Sequence, residues 1–397
     1  MTLRVLLVGD RRFVEADNAV YTEGPMGAET GACYLKQFDT VTVAGRRGNV
    51  AEFRPERLNL MRAGGLDVAF LSDISGVGRR LRNLARVRRE LLTLFGQTDC
   101  VIARMPTELG REAAALALAT GKPLAINIGG CVLDGLRTHG SLAGRIYAPI
   151  AYQRMRSVVR RARWVHYVTK DFLQARYPAA DGAHTIACSG VDIPEVPLNL
   201  LETRLEAIDK EGKVLTFGSI SSLYGRFKGI QHALAALQRA APRLPPFRFR
   251  ILGGGNQTPW RELAMRHGLA DRVIFDGTLP AGEPVRQWLD GIDIYLQPSL
   301  REGLPRALIE AMSRACPAVA SNVAGIPELL PQEFMHTPGD VARLAELVER
   351  VAVPSIRADM ATRNWKRAQD FTLPRLEKIR GEFWGAFRDS VKAAGSK

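Results

Sequence analysis

The stretch that decides the fold is Leu300–Leu330, LREGLPRALIEAMSRACPAVASNVAGIPELL. An apolar run, Ile292–Leu296, precedes it and stops at Gln297-Pro298-Ser299. Gly303 follows, and Pro305 suits a first helical turn. The helix is expected over Pro305–Ala315, and Pro317 bars its continuation. A new apolar run, Ala318–Ala320, then begins. Strand, glycine turn, helix and strand in this order make one unit of a parallel sheet. The backbone N–H groups of Gly303, Leu304, Arg306 and Ala307 fall where a helix start leaves donors unpaired, which suits an anion or a hydroxyl. Glu302 stands just before this helix and Glu310 inside it. On a helical wheel Leu308, Ala311, Met312 and Ala315 share one face. Glu310 points away from it, with Arg306 and Arg314 four residues to either side, so ion pairs on a solvated face are one reading of it. Gripping sugar hydroxyls with two carboxylates is the other.

The same alternation extends outward in both directions. Strands are expected at Leu3–Val8, Thr40–Ala44, Leu66–Leu71, Cys100–Ala103, Leu124–Ile128, Val165–Thr169 and Thr185–Cys188. A second series runs through Val214–Phe217, Phe247–Leu252, Val273–Phe275, Ile292–Leu296 and Ala318–Ala320. Helical spacing fills the gaps, as in Arg111–Ala119 and Gln231–Ala240. Near-continuous apolar strands alternating with helices read as parallel sheets covered on both faces. The fold class is therefore α/β, with two doubly wound Rossmann-like domains facing a cleft. The proline-rich join VDIPEVP (Val191–Pro197) divides residues 1–195, a first Rossmann-like domain, from residues 196–370, a second; the resemblance named below implies that the first binds an acceptor and the second a nucleotide sugar. In residues 371–397 the segment Leu373–Val391 forms one amphipathic helix with Leu376, Ile379, Phe383 and Phe387 as its stripe, able to pack back on the first domain.

Composition narrows the class. At 397 residues, 46% hydrophobic and 24% charged, the chain is ordinary for a globular protein of two domains. No apolar run approaches the ~20 residues of a membrane helix. MTLRVLLVGD is too short for a secretory signal, which places the protein in the cytoplasm as an expectation. Five scattered cysteines without a C-x-x-C pair argue against disulfides or structural zinc. The net charge of +14 fits anionic partners and is spread over both halves. It concentrates at Arg79, Arg80, Arg82, Arg86, Arg88 and Arg89, and again at Arg154, Arg156, Arg160, Arg161 and Arg163. Among Leu81, Leu84, Leu91 and Leu92 the first cluster reads as a basic amphipathic helix, either a solvated face or a surface for anionic membrane. The clusters lack interleaved aromatics and match no nucleic-acid motif, so no nucleic-acid partner is expected.

E-x7-E within EGLP-x-x-x-x-E-A-M, followed by P-x-x-A-S-N-V-x-G-I-P-E, resembles the retaining GT-B glycosyltransferases of family 4. Gly218–Gly229 (GSISSLYGRFKG), Ile251–Gly255 (ILGGG), Arg272–Pro280 (RVIFDGTLP) and Asp293–Ser299 (DIYLQPS) stand in that family's order, so the likeness covers about residues 190–370. In the first half, Tyr167–Pro178 and Glu23–Gly31 are similar to bacterial cell-surface polysaccharide transferases.

The resemblance implies a transfer of a hexose-type sugar from a nucleoside diphosphate donor, with retention, to a lipid-linked or oligosaccharide acceptor. Gly218 would belong to the donor loop, and Arg226 and Lys228 would hold the diphosphate. Glu310 would bind the ribose hydroxyls and Glu302 the donor sugar. The amides of Gly303, Leu304 and Arg306, around Pro305, would take the sugar and distal phosphate. Thr278 and Leu279 would meet the base edge. The loop with Gly24 and Gly27 would lie beneath the phosphates or acceptor. Many relatives place a histidine after an N-domain strand; here Ile126–Asp134 has none, and Asp134 or His139 could approach the acceptor. No metal and no cofactor beyond the donor are implied, because the two cations neutralise the leaving group. Sugar-nucleotide epimerases and sucrose-synthase-like enzymes share the fold, and a non-enzymatic basic membrane adaptor is the third reading.

Overall fold

The computed structural model describes residues 2–17, 19–23, 29–49, 58–61, 64–138, 141–208, 210 and 214–395. The chain forms two compact units, one of Met1–Cys188 with Glu377–Lys397 and one of Ser189–Leu376.

The first unit contains β1 (Arg4–Ala16), β2 (Ala19–Glu23), α1 (Glu29–Leu35), β3 (Thr40–Arg47), β4 (Leu58–Leu60), β5 (Leu66–Leu71), α2 (Val77–Gln97), β6 (Cys100–Met105), α3 (Glu108–Thr120), β7 (Leu124–Ile128), α4 (Val132–Arg137), α5 (Leu142–Val159), β8 (Trp164–Tyr167), α6 (Phe172–Arg176) and β9 (His184–Ala187). Its parallel ladder runs β5-β3-β1-β6-β7-β8-β9. Beyond its register shift β1 continues to Ala16 and pairs antiparallel with β2, which pairs with β4. Ending the strand at Val8 was too short. Asp10, Arg11 and Arg12 interrupt the apolar run, yet Phe13 and Val14 beyond them are fully buried. β2 and β4 lack an apolar pattern of their own and exist through pairing.

The second unit contains α7 (Leu198–Ile208), β10 (Leu215–Ile220), α8 (Ile230–Ala240), β11 (Phe247–Leu252), α9 (Thr258–Arg266), β12 (Val273–Gly277), α10 (Glu283–Asp290), β13 (Ile294–Gln297), α11 (Arg306–Ser313), β14 (Ala318–Ser321), β15 (Met335–His336), α12 (Val341–Val351) and α13 (Pro354–Ala368). The sheet is parallel throughout, in the order β12-β11-β10-β13-β14-β15. β15 has only two residues, too few for a sequence signal. α14 (Leu373–Gly395) begins in the second unit and continues into the first, where Phe383, Trp384, Phe387 and Val391 join the core with Leu3, Val5, Tyr34 and Phe38. Trp384 meets Tyr34 edge-on at 5.2 Å, an arrangement worth ~1 kcal/mol beyond burial.

In both sheets the chain reverses direction of growth once. These switch points lie between β1 and β6 in the first and between β10 and β13 in the second. Loops at the carboxyl ends of such strands splay apart and leave a crevice.

Candidate functional site

The second switch point is flanked by the turn Arg226–Lys228 after β10 and by residues 298–305 after β13. The two segments are tied together: Leu300 N donates to Phe227 O at 2.7 Å. Gly229 makes the tie possible. It has φ of 75°, and a Cβ there would lie 1.8 Å from Pro298 O. The Arg301 guanidinium stacks 4.6 Å from the Phe227 ring.

This crossing brings Lys228 to Glu302, with Nζ to Oε1 at 2.7 Å. The Glu302 side chain is 9% exposed. The same Oε1 accepts from Gln297 Nε2 at 2.8 Å and from Ser299 Oγ at 2.7 Å. Tyr295 O–H donates to Gln297 Oε1 at 2.8 Å, and Ser321 O–H donates to Ser299 O. Burial raises the Tyr295 phenol well above its ordinary range, so it remains a donor. A carboxylate held by three donors, two of them fixed by their own partners, is rigid. The sequence reading did not assign roles to Tyr295, Gln297 and Ser299. The signal was there: they alternate with Ile294 and Leu296, which are in the core, so polar residues occupy one face of a buried strand.

Glu310 lies on α11 with its side chain 20% exposed. Burial raises its carboxyl above the ordinary range, opposed by Arg306 and then Arg286. Arg306 Nη1 is 3.9 Å from Oε1. The expected second pair fails, because Arg314 makes two hydrogen bonds to Asp290 at 2.7 and 2.8 Å. No side chain of the described residues caps α11, whose N-cap is Pro305. Gly303 O accepts from Gly325 N, and Gly303 and Leu304 are half-buried. Arg226 is exposed, and its charge, after burial, lowers the His232 pKa. Thr278 and Leu279 are exposed just past β12.

Gly218 lies inside β10, where a Cβ would come within 2.7 Å of Ile292, so packing explains the glycine. Asp134 is on α4 and accepts from Arg176 Nη1 at 2.9 Å, which commits it to an ion pair. Gly24, Gly27 and His139 lie outside the described residues. Of the arginine cluster on α2, the exposed Arg88 hydrogen-bonds the buried Glu112 at 2.6 Å, and Arg80 hydrogen-bonds Glu108. Arg79, Arg82 and Arg89 remain exposed beside Leu81, which is 81% exposed. Among the described residues no group of three or more His, Cys, Asp or Glu could hold a metal ion, and no helix is long and apolar enough to cross a membrane.

Residues 212–352, which hold this arrangement, match the family described as glycosyl transferases group 1. Over 297 residues, 72% of each chain, the protein is 27% identical to protein CapJ of Staphylococcus aureus. The amylovoran biosynthesis glycosyltransferase AmsK of Erwinia amylovora is 33% identical over 135 residues, 32% of this chain and 33% of AmsK. Among solved structures, sucrose-phosphate synthase of Thermosynechococcus elongatus superposes with a TM-score of 0.69 at 15% identity, over 98% of this chain and all of that one. HepE of Anabaena in complex with UDP-glucose gives 0.65 at 19% identity, over 97% and 100%. The two units, each built on a Rossmann-like parallel sheet, thus have the GT-B fold of these structures.

Proposed function

We propose that the protein is a retaining glycosyltransferase of family 4. It moves a hexose-type sugar from a nucleoside diphosphate sugar to a hydroxyl of a growing cell-surface polysaccharide. The observation that carries the reading is the Lys228–Glu302 contact at the switch point, with Glu310 half-buried on the next helix. Lys228 has further N–H donors for a diphosphate besides the one given to Glu302. Arg226 adds a second positive charge from the same turn. As the anomeric C–O bond breaks, charge grows on the leaving phosphate, and both cations stabilise it without a metal. The acceptor oxygen bonds to the anomeric carbon on the face the phosphate leaves, and its proton passes to a phosphate oxygen. Retention follows without a protein nucleophile. Glu302, fixed by Gln297 and Ser299, orients the sugar hydroxyls, and Glu310 takes the ribose. The AmsK likeness supports a polysaccharide product, and the UDP-glucose bound to HepE supports a hexosyl donor.

Calorimetric titration with UDP, GDP and ADP tests this. One nucleotide should bind selectively, and Glu310→Ala should weaken it about tenfold or more, as loss of hydrogen bonds to a charged group does. Equal binding of all three, or none, would sink the reading. We further propose that the protein works in the cytoplasm at the inner face of the plasma membrane, held by α2. Exposed Arg79, Arg82 and Arg89 surround Leu81, and Leu142, Ile146 and Ile150 form an exposed apolar stripe on α5. Replacing Arg82, Arg86 and Arg89 by Gln should reduce sedimentation with anionic vesicles; unchanged sedimentation removes α2 from that role.

A further inference from the structure

Glu302 is held by one oxygen only. Lys228 Nζ, Gln297 Nε2 and Ser299 Oγ all donate to Oε1, at 2.7, 2.8 and 2.7 Å. Among the described residues nothing donates to Oε2. The two oxygens of one carboxylate are therefore divided between the protein and whatever binds beside it. An ionised carboxylate oxygen takes only hydrogen-bond donors, so a ligand must offer Oε2 an O–H or an N–H.

This division depends on which way the Gln297 amide faces. A glutamine amide presents donors at one end and an acceptor at the other. Here it is set from behind: Tyr295 O–H donates to Gln297 Oε1 at 2.8 Å, which turns Nε2 towards Ser299 and Glu302. The opposite orientation would set the amide oxygen against the carboxylate. Tyr295 and Gln297 are 0% and 1% exposed, so bulk water cannot replace either partner. Tyr295 is fixed in its turn, because its oxygen accepts from Ile220 N at 3.3 Å, at the end of β10. The chain beyond β10 leads to the turn Arg226–Lys228 and so back to Glu302. Ile220, Tyr295, Gln297, Glu302 and Lys228 thus close a ring of hydrogen bonds that fastens both ends of this loop to the same strand, β13, and the residues that follow it.

We propose that Tyr295 is a positioning residue for the donor sugar: by fixing the Gln297 amide it holds Glu302 with Oε2 free for a sugar hydroxyl. Being fully buried, the phenol touches neither sugar nor nucleotide and acts through Gln297 alone. This deepens the transferase reading and rests on it, because it takes Glu302 as the partner of the sugar. The consequence is a separation within one ligand. The sugar's share of donor affinity depends on Tyr295, and the share of the nucleoside diphosphate does not.

The probes are UDP-glucose, UDP-galactose, UDP-N-acetylglucosamine and GDP-mannose, with UDP and GDP alongside. Each is titrated calorimetrically into the full chain, Tyr295→Phe, Gln297→Met and the double variant. For the nucleotide sugar that the wild type binds most tightly, the ratio of its affinity to that of its nucleoside diphosphate isolates the sugar. Tyr295→Phe should lower this ratio about tenfold, as loss of one hydrogen bond to a charged group does, with the nucleoside diphosphate itself bound within about threefold of wild type. A general structural role would weaken both ligands alike and leave the ratio where it was, and that result overturns the proposal. Gln297→Met should lower the ratio by a similar factor. Adding Tyr295→Phe to it should lower it no further, since the two residues act in series. A further fall would mean that Tyr295 acts through Ile220 instead, which also overturns the proposal. If Tyr295→Phe does not fold, Gln297→Met carries the test alone, and an unchanged ratio there is decisive against it. Each of these results leaves the transferase reading standing. If the wild type binds none of the four nucleotide sugars, that reading falls and this inference falls with it.

Discussion

At the switch point of the second sheet, Lys228 and Glu302 meet at 2.7 Å, and Gln297 and Ser299 complete the shell of the carboxylate. At the switch point of the first sheet, Arg11 and Arg104 share a cavity with Asp10, the one acid lining it among the described residues, which is held by backbone amides and Arg46. Topology supplies the same crevice twice. The side chains then divide the work. In the second crevice Lys228 is already paired with Glu302 before anything binds. Among the described residues, the first is lined by the guanidinium groups of Arg11 and Arg104 and by Asp10. A site of the first kind selects by geometry, whereas one of the second kind selects by charge.

The comparison is broken most directly at Lys228. In Lys228→Ala, Glu302 keeps Gln297 and Ser299 but loses its charged partner. In the proposed mechanism the leaving diphosphate also loses one of two cations. Turnover with the nucleotide sugar should fall by about two to three orders of magnitude, the range seen when one preorganised charge-stabilising donor is removed. Steady-state kinetics with the donor varied checks this, and turnover within threefold of wild type would take Lys228 out of the site.

Much of this was legible in the chain. The long helices and buried parallel strands announced themselves because each buries a continuous or evenly spaced set of apolar residues. Phe247–Leu252 and Leu66–Leu71 match their expected bounds for that reason. The pairing of Glu302 with Lys228 was not visible, since the two are 74 residues apart and meet only because Gly229 lets one loop cross the other. Nor were the pairings of Arg80 and Arg88, whose partners Glu108 and Glu112 belong to a different helix. Gly218 is required by its packing against Ile292, which no motif reveals. Short motifs register which residue types are present but not which neighbour requires them. The second half of β1 was hidden because the arginines that interrupt its apolar pattern line cavities of the first unit.

The smaller effect sharpens the comparison through stability. A charge that is balanced in the folded state leaves a buried partner behind when it is removed. A charge that is in excess does not. Lys228→Ala should therefore cost about 1–3 kcal/mol of unfolding free energy, since it strips a donor from a carboxylate that is nearly buried. Arg104→Gln should change it by no more than about 0.5 kcal/mol and in the stabilising direction, because the variant relieves the repulsion on Arg11. Raising the salt concentration should shrink the Arg104 difference, as screening already weakens that repulsion, and leave most of the Lys228 difference. Urea unfolding of the three proteins at low and at high salt reads both quantities. A loss of more than about 1 kcal/mol in Arg104→Gln would mean that Arg104 is a structural cation like Lys228, and the contrast between the two crevices would vanish.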